Sequence, residues 1–192
     1  EQQRKTRMAN REALWKLASD SQQEWLSFAQ RLIQTPSLPG EEGNVALIVQ
    51  EEMHRLGYDR VWVDSVGNVI GVMAGMGGSS VLFNGHMDVV DPGPLDGWRY
   101  PPFSGHIEGD WLWGRGASDM KGALALQVYS LGLLRRVGYT LSGDCYATAV
   151  VFEETGGLGT QALVKELQAD MAVVGEATDN QLARGHRGRL EI

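Results

Sequence analysis

Apolar positions along the chain recur at two periods, and each change of period marks a new element. From Arg11 to Gln34, Leu14, Leu17, Trp25, Phe28, Leu32 and Ile33 fall close to helical spacing, with a break expected at Asp20 to Gln23, and Pro36 and Pro39 stop the pattern. A second helix opens at Gly40 to Gly43, carries Val45, Ile48, Val49, Met53 and Leu56 on one face, and ends at Gly57. The period then shortens: Val61, Val63 and the Val69 to Met73 run flank Gly67-Asn68, which predicts a hairpin. A strand over Ser80 to Asn84 is apolar through Val81-Leu82-Phe83, the pattern of a strand buried on both faces.

Asp91 to Gly105 is rich in Pro and Gly and predicts a long loop, anchored by Trp98, Tyr100 and Phe103. Ile107 to Trp113 predicts a strand or hairpin around Gly109-Asp110. Met120 to Val137 predicts a deeply buried helix, Asp144 to Phe152 a strand, Gly159 to Leu167 a short helix and Met171 to Val174 another strand. Two short β segments, Leu182-Ala183 and Leu190 to Ile192, are expected to flank Gly185 to Gly188. Strands alternating with helices predict a three-layer α/β sandwich with a mixed, mostly parallel sheet and helices on both faces.

At 192 residues and 43% hydrophobic, the chain has material for one core, so one domain is the default. A net charge of -7 disfavours a phosphate-coating role and argues against a nucleic-acid partner. Of the 192 residues 25 are glycine, close to twice the ordinary share of about 7%, and their clusters predict many tight turns. The single cysteine, Cys145, excludes an internal disulfide and a cysteine-based zinc cage. No segment has the ~18 apolar residues of a membrane span, and the polar N-terminus is unlike a signal peptide. A cytoplasmic protein with no membrane partner is the expectation, either trimmed before Glu1 or naturally starting at Met8.

Four polar clusters each follow a strand-like run, and on an α/β sheet such clusters converge on the carboxyl edge where ligands bind. His86 and Asp88, two apart, share one side of an extended segment. An imidazole offers nitrogen to a metal, and a nearby carboxylate can hold its tautomer. Asp119 lies at the mouth of the buried helix, where a lone acid also suits the helix dipole. Glu153 and Glu154, adjacent at a strand end, repel each other unless a cation intervenes or one takes up a proton. Neighbours on a strand point opposite ways, so one can ligate while the other faces a water. Glu176 ends the Met171 to Val174 run after Gly175. Gly114-Arg115-Gly116 lacks the third glycine of a dinucleotide loop, and Lys121 is followed by Gly rather than Ser or Thr, so a nucleotide-binding module is disfavoured.

Taken in order, Gly85-His-Met-Asp88, Gly114-Arg-Gly-Ala-Ser-Asp-Met-Lys-Gly122, Phe152-Glu-Glu-Thr-Gly-Gly157 and Val174-Gly-Glu-Ala-Thr178 resemble the M20 metallopeptidase family of deacylases, aminoacylases and carboxypeptidases. The likeness runs from about Trp25 to the C-terminus and includes Trp98 and Pro102-Phe103. It implies that His86 and Glu176 ligate one metal, Glu154 the other, and Asp119 bridges both. It further implies Asp88 as the partner of His86, Glu153 as general base on a metal-bridging water, and a cis Asp119-Met120 peptide. Mixed imidazole and carboxylate ligands favour two Zn2+ ions, with Co2+ or Mn2+ able to serve.

The implied reaction is hydrolysis of an amide bond in an N-acyl amino acid or small peptide. The resemblance also implies a lid that dimerises the full-length protein and a later histidine that completes the second metal site. Residues 1–184 are then expected to be the catalytic portion, and 185–192 the start of a crossing into a missing lid. On that reading this chain alone binds one metal better than two and hydrolyses little; the alternative is a truncated, non-catalytic metal-binding fragment. His186, His54 and His106 are expected to be bystanders.

Overall fold

The structure, a computed structural model, describes residues 2–185, with side chains described from Arg11 onward. The expected break in the first helical stretch falls at Ser21, which separates α1 (Gln2–Asp20) from α2 (Gln22–Gln34). α2 buries Phe28, Ala29, Leu32 and Ile33, the stripe read from its spacing. α3 (Gly43–Arg55) follows, with Gly57 at φ 78° just beyond its end. The hairpin is β1 (Arg60–Val63) and β2 (Val69–Met73), closed by a turn in which one Asp64 carboxylate oxygen accepts the amides of Val66, Gly67 and Asn68.

β3 (Gly78–His86) runs longer than expected at both ends. β4 (His106–Glu108) and β5 (Trp111–Trp113) form a separate two-stranded sheet after the long loop. α4 (Lys121–Arg136), β6 (Gly143–Val150), α5 (Leu158–Glu166) and β7 (Met171–Val174) complete the described elements. The short strand expected at Leu182-Ala183 does not form: residues 181–185 pair with no strand, and Leu182 is 90% exposed. Without a partner ladder, two apolar residues have nothing to hold them extended. The expected β segment at Leu190 to Ile192, His186 and nearly all of the expected crossing at 185–192 lie outside the described residues.

The main sheet has the order β1-β2-β6-β3-β7. β1 with β2 and β2 with β6 are antiparallel, while β6 with β3 and β3 with β7 are parallel. The sheet is therefore mixed as expected, with its pairings divided evenly because the N-terminal hairpin forms an antiparallel flank. From β3 the chain crosses through α4 to β6 on one side, then back through α5 to β7 on the other. Right-handed crossovers running in opposite directions place their helices on opposite faces. The packing agrees. Val69, Met73, Ala147 and Ala149 meet α2, α3 and α4 in one large core, whereas Ile70, Leu82 and Val150, their alternates along the strands, meet Leu163 of α5 in a small one. The two layers of helices and the sheet between them make the three-layer sandwich.

Candidate metal centre

The switch point lies between the neighbouring strands β3 and β6: the crossover from β3 runs through α4 on one face and that from β6 through α5 on the other, and such a point opens a crevice beyond the carboxyl ends of the strands. His86 closes β3, Glu153 and Glu154 follow β6, Glu176 follows β7, and Asp119 precedes α4. All four clusters read from the sequence therefore meet at one edge. The His86 ring is 1% exposed, and its Nε2 lies 3.1 Å from Asp119 Oδ1, 3.8 Å from Glu176 Oε1 and 4.0 Å from Glu153 Oε2. Two groups have ligand atoms close enough to share an ion: His86, Glu153 and Glu176, and His86, Asp119 and Glu154. This grouping differs from the expected one, since Glu153 rather than Asp119 stands with His86 and Glu176.

The imidazole is oriented by its other nitrogen. His86 Nδ1 lies 2.8 Å from the carbonyl oxygen of Asp88, which only accepts, so Nδ1 carries a proton and Nε2 is the ring nitrogen turned toward the carboxylates. The expected pairing through the Asp88 side chain is longer, at 3.6 Å. That carboxylate, fully buried, instead accepts the backbone amides of Glu153 and Glu154, each at 3.0 Å. These two glutamates stand in a turn beyond β6, after Phe152 at φ 53°, so strand alternation is not what separates them. The Asp119-Met120 peptide is cis, as the resemblance implies.

The electrostatics show a cluster short of positive charge. Burial pushes the Glu176 carboxyl up to about 6, and the charges of Asp119 and Glu153 add to that against the opposing pull of His86. Glu154 is raised as well, by burial first and then by Asp119. Burial opposes the imidazolium form of His86, but the Asp88 carbonyl and the charges of Glu176, Asp88 and Asp119 outweigh it and raise the ring. One imidazole nitrogen with four carboxylates is a donor set that a borderline divalent ion fits, and such an ion relieves the repulsion.

Lys121 entered the sequence reading only as evidence against a phosphate loop. It is fully buried, and its ammonium donates to the Leu32 and Thr35 carbonyls at the end of α2, at 3.0 and 2.7 Å. Burial holds its pKa down at about 8. This lysine ties the start of α4, and with it Asp119, to α2. Nothing in the spacing of Lys121 announces the contact, because the partners are backbone atoms about 90 residues away. His54 and His106 do not reach the cluster: His54 is exposed on α3, and His106 stacks on Tyr100 with ring centroids 3.8 Å apart. A cleft of about 550 Å³ opens beside Glu176 and Ser118, walled by Trp25, Trp111 and Leu126.

An α/β sheet with an imidazole and carboxylate cluster at its switch point is an arrangement that can hold a divalent ion beside a ligand crevice. Residues 82–186 match the model of peptidase family M20/M25/M40, and the chain belongs to that family. It is 33% identical over 178 residues to the uncharacterized protein YgeY of Escherichia coli (strain K12), covering 91% of this chain and 44% of that one. It is 31% identical over 175 residues to a succinyl-diaminopimelate desuccinylase of Paracoccus denitrificans, covering 84% of this chain and 46% of that enzyme. The chain thus spans less than half the length of these relatives.

Solved structures give the same fold. The chain superimposes on a M20 family metallo-carboxypeptidase from Sulfolobus solfataricus with a TM-score of 0.72 at 23% identity, covering 79% of this chain and 37% of that one. Human carnosine dipeptidase 1 gives 0.73 at 21% identity, covering 85% and 40%. Among the described residues no helix is long and apolar enough to cross a membrane.

Proposed function

We propose that the protein is a divalent-metal-dependent hydrolase of amide bonds in N-acyl amino acids or small peptides. The observation that carries this reading is the convergence at the switch point, where Nε2 of His86 has Asp119, Glu176 and Glu153 within 4.0 Å. Membership of a peptidase family and similarity to a protein named a desuccinylase support the amide chemistry.

In the assignment we favour, His86 and Glu176 would hold one ion and Glu154 a second, with Asp119 serving both. Zinc suits the mixed donor set, and Co2+ or Mn2+ can take its place. A bound ion supplies carbonyl polarisation and lowers the pKa of an attacking water toward ~7. Glu153 takes the proton of that water and returns it to the departing amine, a role open to a carboxylate that reaches the cluster without being needed to hold it. Asp88 fixes the proton on Nδ1 of His86 through its carbonyl and the direction of the Glu153–Glu154 turn through its carboxylate.

A second reading is favoured by one observation, that the chain spans only 44% of the relative's length. On it, these 192 residues are a metal-binding fragment with no turnover of their own. Two measurements separate the readings: Zn2+ calorimetry on chelator-stripped protein, and hydrolysis of N-acetyl and N-succinyl amino acids and dipeptides. Saturable binding with turnover that Glu153→Ala lowers by at least about 100-fold, metal affinity being kept, supports the hydrolase. Binding with no turnover above a metal blank supports the fragment reading. Protein that takes up no divalent ion, or a Glu153→Ala variant with full turnover, overturns the mechanism.

A further inference from the structure

Beyond Val150 the β6 strand has no ladder to join, since its parallel register with β3 ends at the His86 and Val150 pair. The next four backbone amides are nonetheless all satisfied, and each donates to a side chain. The Val151 amide goes to Asn68 Oδ1, the Phe152 amide to Glu42 Oε1, and those of Glu153 and Glu154 to the two oxygens of Asp88, every one at 3.0 Å. The three acceptors come from the β1–β2 turn, the start of α3 and the end of β3, and all three residues are buried, Asn68 and Asp88 fully and Glu42 at 3% exposure. Segments far apart in sequence have been brought together around one turn.

We infer that Glu42 and Asn68 are positioning residues which, with Asp88, suspend the Glu153–Glu154 turn and aim its two carboxylates at His86. Asn68 can play only one part. Its amide nitrogen donates to Asp64 Oδ2 at 2.7 Å and to the Gly159 carbonyl at 2.9 Å, which leaves its oxygen for Val151. A Cβ at Gly159 would run into Asn68 Oδ1 and the Val151 backbone, so this position admits glycine alone. Glu42 forms no salt bridge among the described residues. A buried carboxylate without a cation is costly unless hydrogen bonds offset it, and the Phe152 amide is the bond it makes. Phe152 itself sits at φ 53°, a left-handed conformation in which a phenylalanine persists only when its surroundings hold it. Without the three acceptors, four successive amides, that of Val151 buried and the others partly so, lose their partners at the point where both glutamates must be aimed.

The inference about aiming rests on the metal-binding reading above; the suspension itself does not, and the test separates the two. Amide hydrogen exchange is first read by NMR on metal-free protein. Replacing Glu42 by Ala is expected to speed exchange at Phe152 by at least about tenfold, while Glu42→Gln, which keeps an oxygen in place, leaves it near the wild-type rate and core amides of α4 are unchanged. Co2+ is then titrated and followed by its visible ligand-field bands. Glu42→Ala and Asn68→Ala are expected to weaken Co2+ binding by about 10 to 100-fold and to alter the bands, with Glu42→Gln restoring most of both.

A residue that merely stabilises the fold lowers the melting temperature and leaves the bands of the folded protein as they were. Wild-type Co2+ affinity and bands in folded Glu42→Ala and Asn68→Ala overturn the inference. If the wild-type protein takes up no Co2+, the metal reading fails, and unchanged exchange at residues 151–154 in the alanine variants overturns the suspension too. If Glu42→Ala does not fold, Glu42→Asp, which draws the acceptor back by one methylene, is measured in its place with the same expected direction.

Discussion

The two crossovers of this molecule deliver site residues of the same kind to the same edge from very different foundations. α4 lies in the large core, with Lys121, Leu124, Ala125, Val128 and Tyr129 all buried, and it begins directly after Asp119. α5, on the other face, buries only Gly159 and Leu163, and the strand it leads to, β7, is exposed at every position. His86, on the side backed by α4, has a ring 1% exposed, whereas the Glu176 side chain beyond β7 is 39% exposed. A cluster assembled across this boundary has its imidazole held by close packing and Glu176 standing beyond a strand that is at the edge of the sheet among the described residues. The nitrogen donor is set by the fold, while the Glu176 and Asp119 side chains, 39% and 55% exposed, have room to move.

The contrast can be broken in order of expected size. Leu124→Ala, in the large core, should destabilise the chain by about 2–5 kcal/mol in denaturant unfolding, with Leu163→Ala at the low end of that range because the thin face can relax around the cavity. If Leu163→Ala costs as much as Leu124→Ala, the two faces are not unequal as described. Lys121→Met should cost about 1–3 kcal/mol, since it strips two carbonyls of their buried donor, and should weaken Zn2+ binding measured by calorimetry because the start of α4 loses its tie to α2.

Smaller effects sharpen the picture. Glu24 joins α2 to α3 and α4, and bonds from Arg136, then Tyr129 and Arg55, bring its pKa down from 4.5 to about 2. Because the folded value lies below the unfolded one, the stabilisation is present above pH 4.5 and is lost as the pH falls toward 2. The group is 44% exposed, so solvent screening limits the effect to under about 1 kcal/mol. An acid unfolding titration should show this loss in wild type and not in Glu24→Gln. Val174→Thr on β7 should change stability by no more than about 0.5 kcal/mol, because its side chain is 58% exposed. A larger loss would mean that β7 is packed more closely than its exposure indicates.

Much of the candidate site was legible because its residues sit at places where a local pattern stops. His86, Glu153 and Glu176 each end an apolar run, and a run buried on both faces has to stop where the sheet meets solvent. The roles within the cluster were less legible. Glu153 and Glu154 were expected to diverge by strand alternation, yet they lie in a turn whose direction is set by Asn68, Glu42 and Asp88. Glu42 looks like an ordinary acid near a helix start, and Asn68 like half of a turn signal.

The amino-acid order by itself determined the periods, and through them the helices, the strands and the polar clusters beyond their ends, because those depend on neighbours within a few residues. It also carried the family likeness, which needs only motifs in order. Tertiary structure alone decided which acid stands beside which. The docking of β2 on β6, the pairing of β3 with β6 and the pull of Asp88 toward two backbone amides arise from contacts between segments 64 or more residues apart, and no local spacing encodes such a contact. The candidate cluster is thus written locally as three strand ends and one helix start, and its geometry comes from the crossovers that bring them together.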